Sequence, residues 1–514
     1  MRAKSRLALA ALAAALAIGI LGDLLILHAP GMGLGASLWV VALAAATVAL
    51  AGRAAPDGAL ERSPAPPGPG TGGGDGASPG GQLRGEGRWL LAGAVLFAAC
   101  LAWRASPVLQ FLDILAIGLC LGLAALTLRG GVLSRAGVLT YPLGLALSAT
   151  LHAAGPFILL FADVEWKELS GGRGSRTAAA ALRGLVIAVP LVLLFGTLLA
   201  AADAVFAELV RRAFVWNPGD WADHLFGTFF FAFLAAGFLR TVLLREADGL
   251  PQLGGVSAGG FALGPIETGV VLGLLDLLFL AFVLVQVRYL FGGSDLVMAT
   301  ADLTYAEYAR SGFFELLQVT ALVLPVMLAL HWALPESDGA AHRLYRRLGI
   351  PLVALLFVVM ASALQRMWLY VLEYGLTELR LYSTAFMAWL AFLFVWFLAT
   401  VMRGARERFA AGALAGGLAV LLLLHGLNPD ALIARTNVAR AGTTGRFDVE
   451  YAASLGADGL PELAAALERL PGPERSELAD RLRSRVQHVR PADWRAWNWG
   501  RARALQALSS LPAE

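Results

Sequence analysis

The sequence predicts an all-α polytopic transmembrane helix bundle of about twelve spans, within a range of eleven to thirteen, with a small helical polar domain at its C-terminus. Three observations predict it. Of the 514 residues, 58% are apolar and only 15% charged, with a mean hydropathy of +0.69. Ordinary soluble domains carry roughly 25% charged residues, so folding in water would leave large apolar patches exposed. The apolar residues also gather into runs close to the roughly 20 needed to cross a hydrocarbon core about 30 Å thick. Finally, the runs are continuously apolar, without the alternation of a transmembrane barrel. Helices are then the form that pairs every backbone amide inside lipid.

The candidate spans run over 7–27, 34–52, 89–105, 108–128, 138–161, 183–202, 222–245, 266–289, 312–334, 349–372, 381–402 and 409–427. The first follows Met1-Arg-Ala-Lys-Ser-Arg6. Its apolar stretch exceeds the 7–15 residues or so of a signal-peptide core, and no clean small-x-small site follows, which predicts a retained helix. The third is short and meets the fourth at Arg104-Ala-Ser-Pro107, where a broken or re-entrant unit would also fit. Residues 53–88 are a Pro/Gly-rich linker that cannot bury a core. Within it Gly68-Pro-Gly-Thr-Gly-Gly73 matches the dinucleotide fingerprint formally, but lacks the strand and helix N-terminus that hold a pyrophosphate. The chain thus divides into a helix pair at 1–52, the disordered linker at 53–88, a main bundle at 89–427 and a C-terminal domain at 428–514. In the last, Pro461 and Pro473 mark helix starts, and Leu463, Leu467 and Leu470 form one helical stripe. Trp494, Trp497 and Trp499 among Arg490, Arg495, Arg501 and Arg503 fit either an interfacial anchor or a packed helical core with solvated arginines.

Charge excludes some classes of partner. A net charge of +3 with scattered arginines gives no nucleic-acid footprint, and the partners expected are the lipid bilayer and a possible protein, with any small-molecule substrate unknown. Lys is confined to Lys4 and Lys167, a bias towards Arg, Ala, Gly and Leu that goes with a GC-rich bacterial genome. Arg2, Lys4 and Arg6 place the N-terminus in the cytoplasm by the positive-inside rule. Twelve spans then return the C-terminus to the cytoplasm, yet leave Arg343, Arg346, Arg347, Arg403, Arg406 and Arg408 outside. The loops conflict, and the parity of the helix count decides.

Ionisable groups inside spans are costly and mark constraints. Glu307 and Arg310 form an i,i+3 pair, and Glu315 and Gln318 continue their face. Arg366 and Glu373 share a face, Gly375 breaks the helix, Thr377 is placed to cap the next one, and Glu378 and Arg380 follow. Alternating topology puts these on one side of the membrane as a candidate polar network, either a register-fixing ion-pair set or a site for a substrate, ion or headgroup. Glu315 is expected to face protein with Arg310, Arg366 or Arg380 as its partner. Asp23, Asp203 and Asp276 are further polar sites, and Asp113 lies singly in another span.

The segments Gly22-Asp-Leu-Leu, Arg104-Ala-Ser-Pro-Val-Leu, Arg183-Gly-Leu-Val-Ile-Ala-Val-Pro, Ala202-Asp-Ala-Val-Phe and Gly264-Pro-Ile-Glu-Thr carry a family resemblance. So do Gln286-Val-Arg-Tyr-Leu-Phe-Gly-Gly, Tyr308-Ala-Arg-Ser-Gly-Phe-Phe-Glu-Leu, Tyr374-Gly-Leu-Thr-Glu-Leu-Arg, Asn428-Pro-Asp-Ala-Leu-Ile-Ala-Arg-Thr-Asn-Val-Ala-Arg and Asp448-Val-Glu-Tyr. The chain resembles the bacterial membrane proteins grouped as domain of unknown function 4173, with a close relative in group 4153. That resemblance implies the membrane class and supplies no mechanism.

No catalytic, cofactor-binding or metal-binding residue is assigned. The seven histidines (28, 152, 224, 331, 342, 425 and 488) show no His-Glu-x-x-His, and Cys100 and Cys120 sit in apolar runs as small hydrophobes. There is no Walker motif, Gly-x-Ser-x-Gly elbow or kinase signature. Three functions compete: a non-catalytic signalling, assembly or envelope component of the bacterial plasma membrane, a permease using the Glu/Arg site, and a polytopic transferase. The transferase reading rests on the carboxylates of Asp163-Val-Glu-Trp-Lys-Glu168.

Overall fold

The computed structural model describes residues 3–53, 85–130, 132–166, 218–245, 263–291, 312–335, 338–470, 472–490 and 493–511, with single positions between 184 and 203. All regular elements among them are helical, and ten helices are long and apolar enough to cross a membrane. A further apolar helix, Gly87–Trp103, is shorter, and the 183–202 segment lies outside the described residues apart from those single positions. The chain forms two compact units, residues 1–133, 141–251 and 491–499 in the first and residues 134–140, 252–490 and 500–514 in the second.

The first unit is built on two antiparallel helices, α1 (Ala3–Gly22, continued as a π turn over Asp23–Leu27) and α6 (Pro218–Leu243). Lipid tails supply no hydrophobic force between helices, so association depends on close packing of small residues. Ser5, Ala8, Ala11, Ala15, Gly19 and Gly22 provide that face. A Cβ on Gly19 would sit 2.5 Å from the Thr228 carbonyl and from Ala232, and one on Gly22 would enter the Phe231 ring. Next come α2 (Leu34–Arg53), α3 (Gly87–Trp103) and α4 (Pro107–Thr127). Trp39 Nε1 ties α2 to the Ile18 carbonyl at 3.0 Å, and Ser37 Oγ ties it to Ala98.

The α3–α4 pair is an antiparallel hairpin. Gly87 packs on Leu128 at one end, and Arg104-Ala-Ser106 turns the chain at the other. Asn498 donates to the carbonyls of Leu101 and Arg104, both at 2.7 Å, satisfying orphan acceptors at the α3 end.

Helix α5 (Thr140–Ile158, with a π turn over Leu159–Asp163) behaves differently. Ser148 meets Gly122 near the end of α4, Gly155 meets Gly237 near the end of α6, and Asp163 meets Lys4 at the start of α1. These partners lie at one end of their helices, so α5 crosses that end instead of running alongside.

In the second unit α7 (Pro265–Phe291) runs parallel to α9 (Gly339–Tyr374), and α8 (Phe313–Ala333), α10 (Glu378–Thr400) and α11 (Phe409–Leu427) complete the bundle. Its core holds Met327, Tyr345, Leu352, Leu356, Phe394 and Phe397, with the Tyr345 hydroxyl donating to the Met327 carbonyl at 2.6 Å. Trp396 and Phe392 of α10 fill the space left by Gly412 and Gly416 of α11. Shorter helices follow: α12 (Pro429–Thr444), α13 (Val449–Ser454), α14 (Leu460–Ala466), α15 (Gly472–Val489) and α16 (Trp499–Ser509).

Candidate functional site

The polar motifs of the second unit converge where α7 and α9 end and where α8 and α10 begin. On α9, Ser362, Arg366, Tyr370 and Tyr374 recur every four residues and share one stripe. Gln286 of α7, buried, accepts hydrogen bonds on Oε1 from Ser362 Oγ and Arg366 Nη2, each at 3.0 Å. Gly312 begins α8 with φ +85°, and a Cβ there would lie 2.7 Å from Arg366 Nη1. Glycine therefore both allows the left-handed turn and leaves room for the guanidinium. Arg380 stacks over the Tyr370 ring, 3.9 Å from its centroid, and donates to the Gly375 carbonyl.

The α9–α10 turn is clasped by the helices after α11. Gly375, at φ +81°, breaks the helix as its sequence position implies. Asn437 of α12 then reads the next residue in both directions: Oδ1 accepts from the Leu376 amide at 2.7 Å, and Nδ2 donates to the Leu376 carbonyl at 2.9 Å. A Cβ on Gly375 would lie 2.6 Å from that Oδ1. Arg440 Nη1 donates to the Glu373 carbonyl at 2.9 Å. The Tyr451 hydroxyl accepts from the Glu378 amide at 2.8 Å, and burial raises its pKa. Thr377 occupies the N-cap position of α10 but makes no side-chain cap bond. The cap expected of it comes instead from Tyr451, whose long ring reaches the orphan amide from another helix.

The expected residues are only partly brought together. Glu307 and Arg310 lie outside the described residues. Glu315, Gln318 and Glu373 are exposed on their helices, and Glu378 is half-buried. Among the described residues no ion pair joins Glu315, Glu373 or Glu378 to Arg366 or Arg380; Arg366 bonds the Gln286 side chain, and Arg380 meets the Tyr370 ring and the Gly375 carbonyl. Asp203 is exposed, Asp276 half-buried, and Asp113 fully buried in α4.

Asp23 is 3% exposed and meets two histidines: His224 Nδ1 lies 2.6 Å from Oδ2, and His28 Nδ1 lies 3.1 Å from Oδ1. His224 is 201 positions away, so no sequence spacing announces it. His28 did carry a signal, since five residues separate it from Asp23, the repeat of a π turn. Asp163 is buried between Lys4 Nζ at 3.1 Å and Arg240 Nε at 2.8 Å. That carboxylate is committed to holding α1, α5 and α6 together, which weakens its reading as a general base. Gln286, Ser362, Asn437 and Tyr451 are the contacts that sequence reasoning did not single out, although Gln286, Asn437 and Tyr451 stand inside the motifs that carry the resemblance.

A family model described as a domain of unknown function, DUF4153, matches residues 91–466. This is the related group 4153 in place of 4173. No curated protein matches the chain, and no solved structure does.

Proposed function

The chain belongs to the DUF4153 family, and from that premise we propose that it is a non-catalytic, multi-pass component of the bacterial plasma membrane, acting as a signalling, assembly or envelope partner through its C-terminal helices. The observation that carries this reading is the clasp of Asn437, Arg440 and Tyr451 on the α9–α10 turn. A partner that seizes α12 or α13 thereby pulls on the junction of two spanning helices. The same contact transmits a change within the bundle outward. The N-terminus lies in the cytoplasm, in keeping with Lys4, Arg6, Arg53, Arg88, Arg129, Arg240 and Arg245 at one end of the first unit. The four segments drawn from the sequence, with the C-terminal domain from residue 428, remain our working division.

Crosslinking in native membranes tests the reading, comparing the wild type with Asn437→Ala and Tyr451→Phe. A reproducible partner, recovered with the wild type and diminished in the variants at equal membrane level, is the expected result. Recovery of the chain alone would sink it.

A second reading, a permease, is favoured by one feature: an arginine, Arg366, held among apolar helices by Gln286, which also accepts from Ser362. Its candidate site is Glu307, Arg310, Glu315, Gln318, Arg366, Glu373, Glu378 and Arg380. Reconstituted vesicles showing an ion or proton flux that Arg366→Gln abolishes would establish it over the first.

A further inference from the structure

The end of α1 departs from α-helical geometry at Asp23–Leu27. The His28 amide bonds the Asp23 carbonyl at 3.3 Å, five residues back, so the wider turn lays His28 over Asp23. From α6, His224 arrives on the other oxygen of the same carboxylate, and the two imidazoles stack at 3.9 Å with 23° between their planes. Gly227 makes this approach possible, because a Cβ there would collide with Asp23 Oδ1. The three donor atoms lie within 4.8 Å of one another.

One oxygen of the carboxylate is left over. Asp23 Oδ1 is buried with no hydrogen-bond partner, although His28 Nδ1 stands 3.1 Å away. His28 Nδ1 also lies 3.2 Å from the Asp23 main-chain oxygen, so both rings turn Nδ1 towards the same residue. We propose that Asp23, His28 and His224 are the ligands of a divalent first-row transition metal ion. Two imidazoles and a carboxylate form a borderline N/O set that suits zinc and its neighbours, whereas magnesium and calcium prefer all-oxygen sites. Zinc binds such donors at about 2.0–2.2 Å, which puts tetrahedral ligands roughly 3.3 Å apart. The observed 2.6 and 3.1 Å separations need only a small spreading to admit the ion. Three protein ligands leave a fourth position open, and the histidine side chains are 30% and 44% exposed, so water reaches it.

The full chain, purified in detergent and stripped with EDTA, is titrated with Zn²⁺ and with Co²⁺, whose visible absorption reports its ligands. One equivalent of Co²⁺ is expected to bind, to be displaced by Zn²⁺ and not by Mg²⁺ or Ca²⁺, and to raise the melting temperature. Asp23→Asn, His28→Gln and His224→Gln should each lose the absorption and the thermal shift. Absence of binding by the wild type, or unchanged binding by the variants, overturns the proposal. Should Asp23→Asn fail to accumulate, the two histidine variants decide alone, because their side chains are partly exposed and their loss leaves the helices packed.

Discussion

At the scale of single residues, Asn437 has the most consequence for its size. Its amide satisfies both backbone groups of Leu376 at a turn between two spanning helices. Asn437→Ala leaves an N–H and a C=O without their partner, each worth about 1–3 kcal/mol where water does not replace it. A clear drop in melting temperature in detergent is expected. Tyr451→Phe, which removes one acceptor, should cost about 0.5–1.5 kcal/mol. Equal melting of wild type and Asn437→Ala would show that the clasp is incidental. Asp493 gives a pH-dependent counterpart. Hydrogen bonds from Arg495 hold its carboxyl below the usual carboxylate range. Arg495 in turn donates to the Leu24 carbonyl, and Trp497 accepts from the Leu34 amide at 2.9 Å. A depressed carboxyl contributes stability that is fully present above its unfolded pKa of about 3.9 and lost as pH falls through the lower folded value. The protection factor of the Leu34 amide against hydrogen exchange should therefore be high at neutral pH and fall below about pH 4. Asn at 493 should abolish that pH dependence.

At the scale of elements, glycines set which helices touch. Gly412 and Gly416 are the hollows into which Trp396 and Phe392 pack. Gly412→Leu drives a side chain into the indole, and such overpacking costs about 1–3 kcal/mol. Reduced thermal stability is expected, with partial recovery when Trp396→Ala vacates the space. A double variant no better than the single one would mean that the helices do not meet there. The α1–α6 pair has polar contacts at both ends as well as small residues along its length. Asp23 meets His224 at one end, and Asp163 bridges Lys4 and Arg240 at the other. From His224 to Arg240 a helix rises about 24 Å at 1.5 Å per residue, close to the hydrocarbon thickness. Polar pairs at both margins fix register where an all-apolar interface would allow sliding.

At the scale of the whole molecule, α5 bears on topology. Its backbone and polar contacts with α4, α6 and α1 lie towards their arginine-rich ends. In the second unit, Arg343, Arg346, Arg347, Arg403, Arg406 and Arg408 gather where α9 and α11 begin. By the positive-inside rule we propose that this end lies in the cytoplasm and the C-terminal helices outside. With a cytoplasmic N-terminus that proposal requires an odd number of crossings, and it removes the conflict among the arginine loops. A reporter active only outside the cytoplasm, fused after Glu514, should be active, and one fused at Arg53 should not. The reverse at Glu514 would restore an even count.

By itself the sequence determined the membrane class, the helical form and the approximate place of most spans, because apolar length and the need to pair backbone amides are local properties. It also located Gly375 as a break and the α9–α10 motif as a polar centre. It did not determine partners. A span that is apolar on every side carries no period that says which face meets protein. Only tertiary structure decided that Arg366 meets Gln286, that Tyr451 rather than Thr377 caps α10, and that Asp23 gathers histidines from two helices. Those contacts depend on close approaches at Gly19, Gly227 and Gly312, where the missing side chain matters only once the facing helix is known.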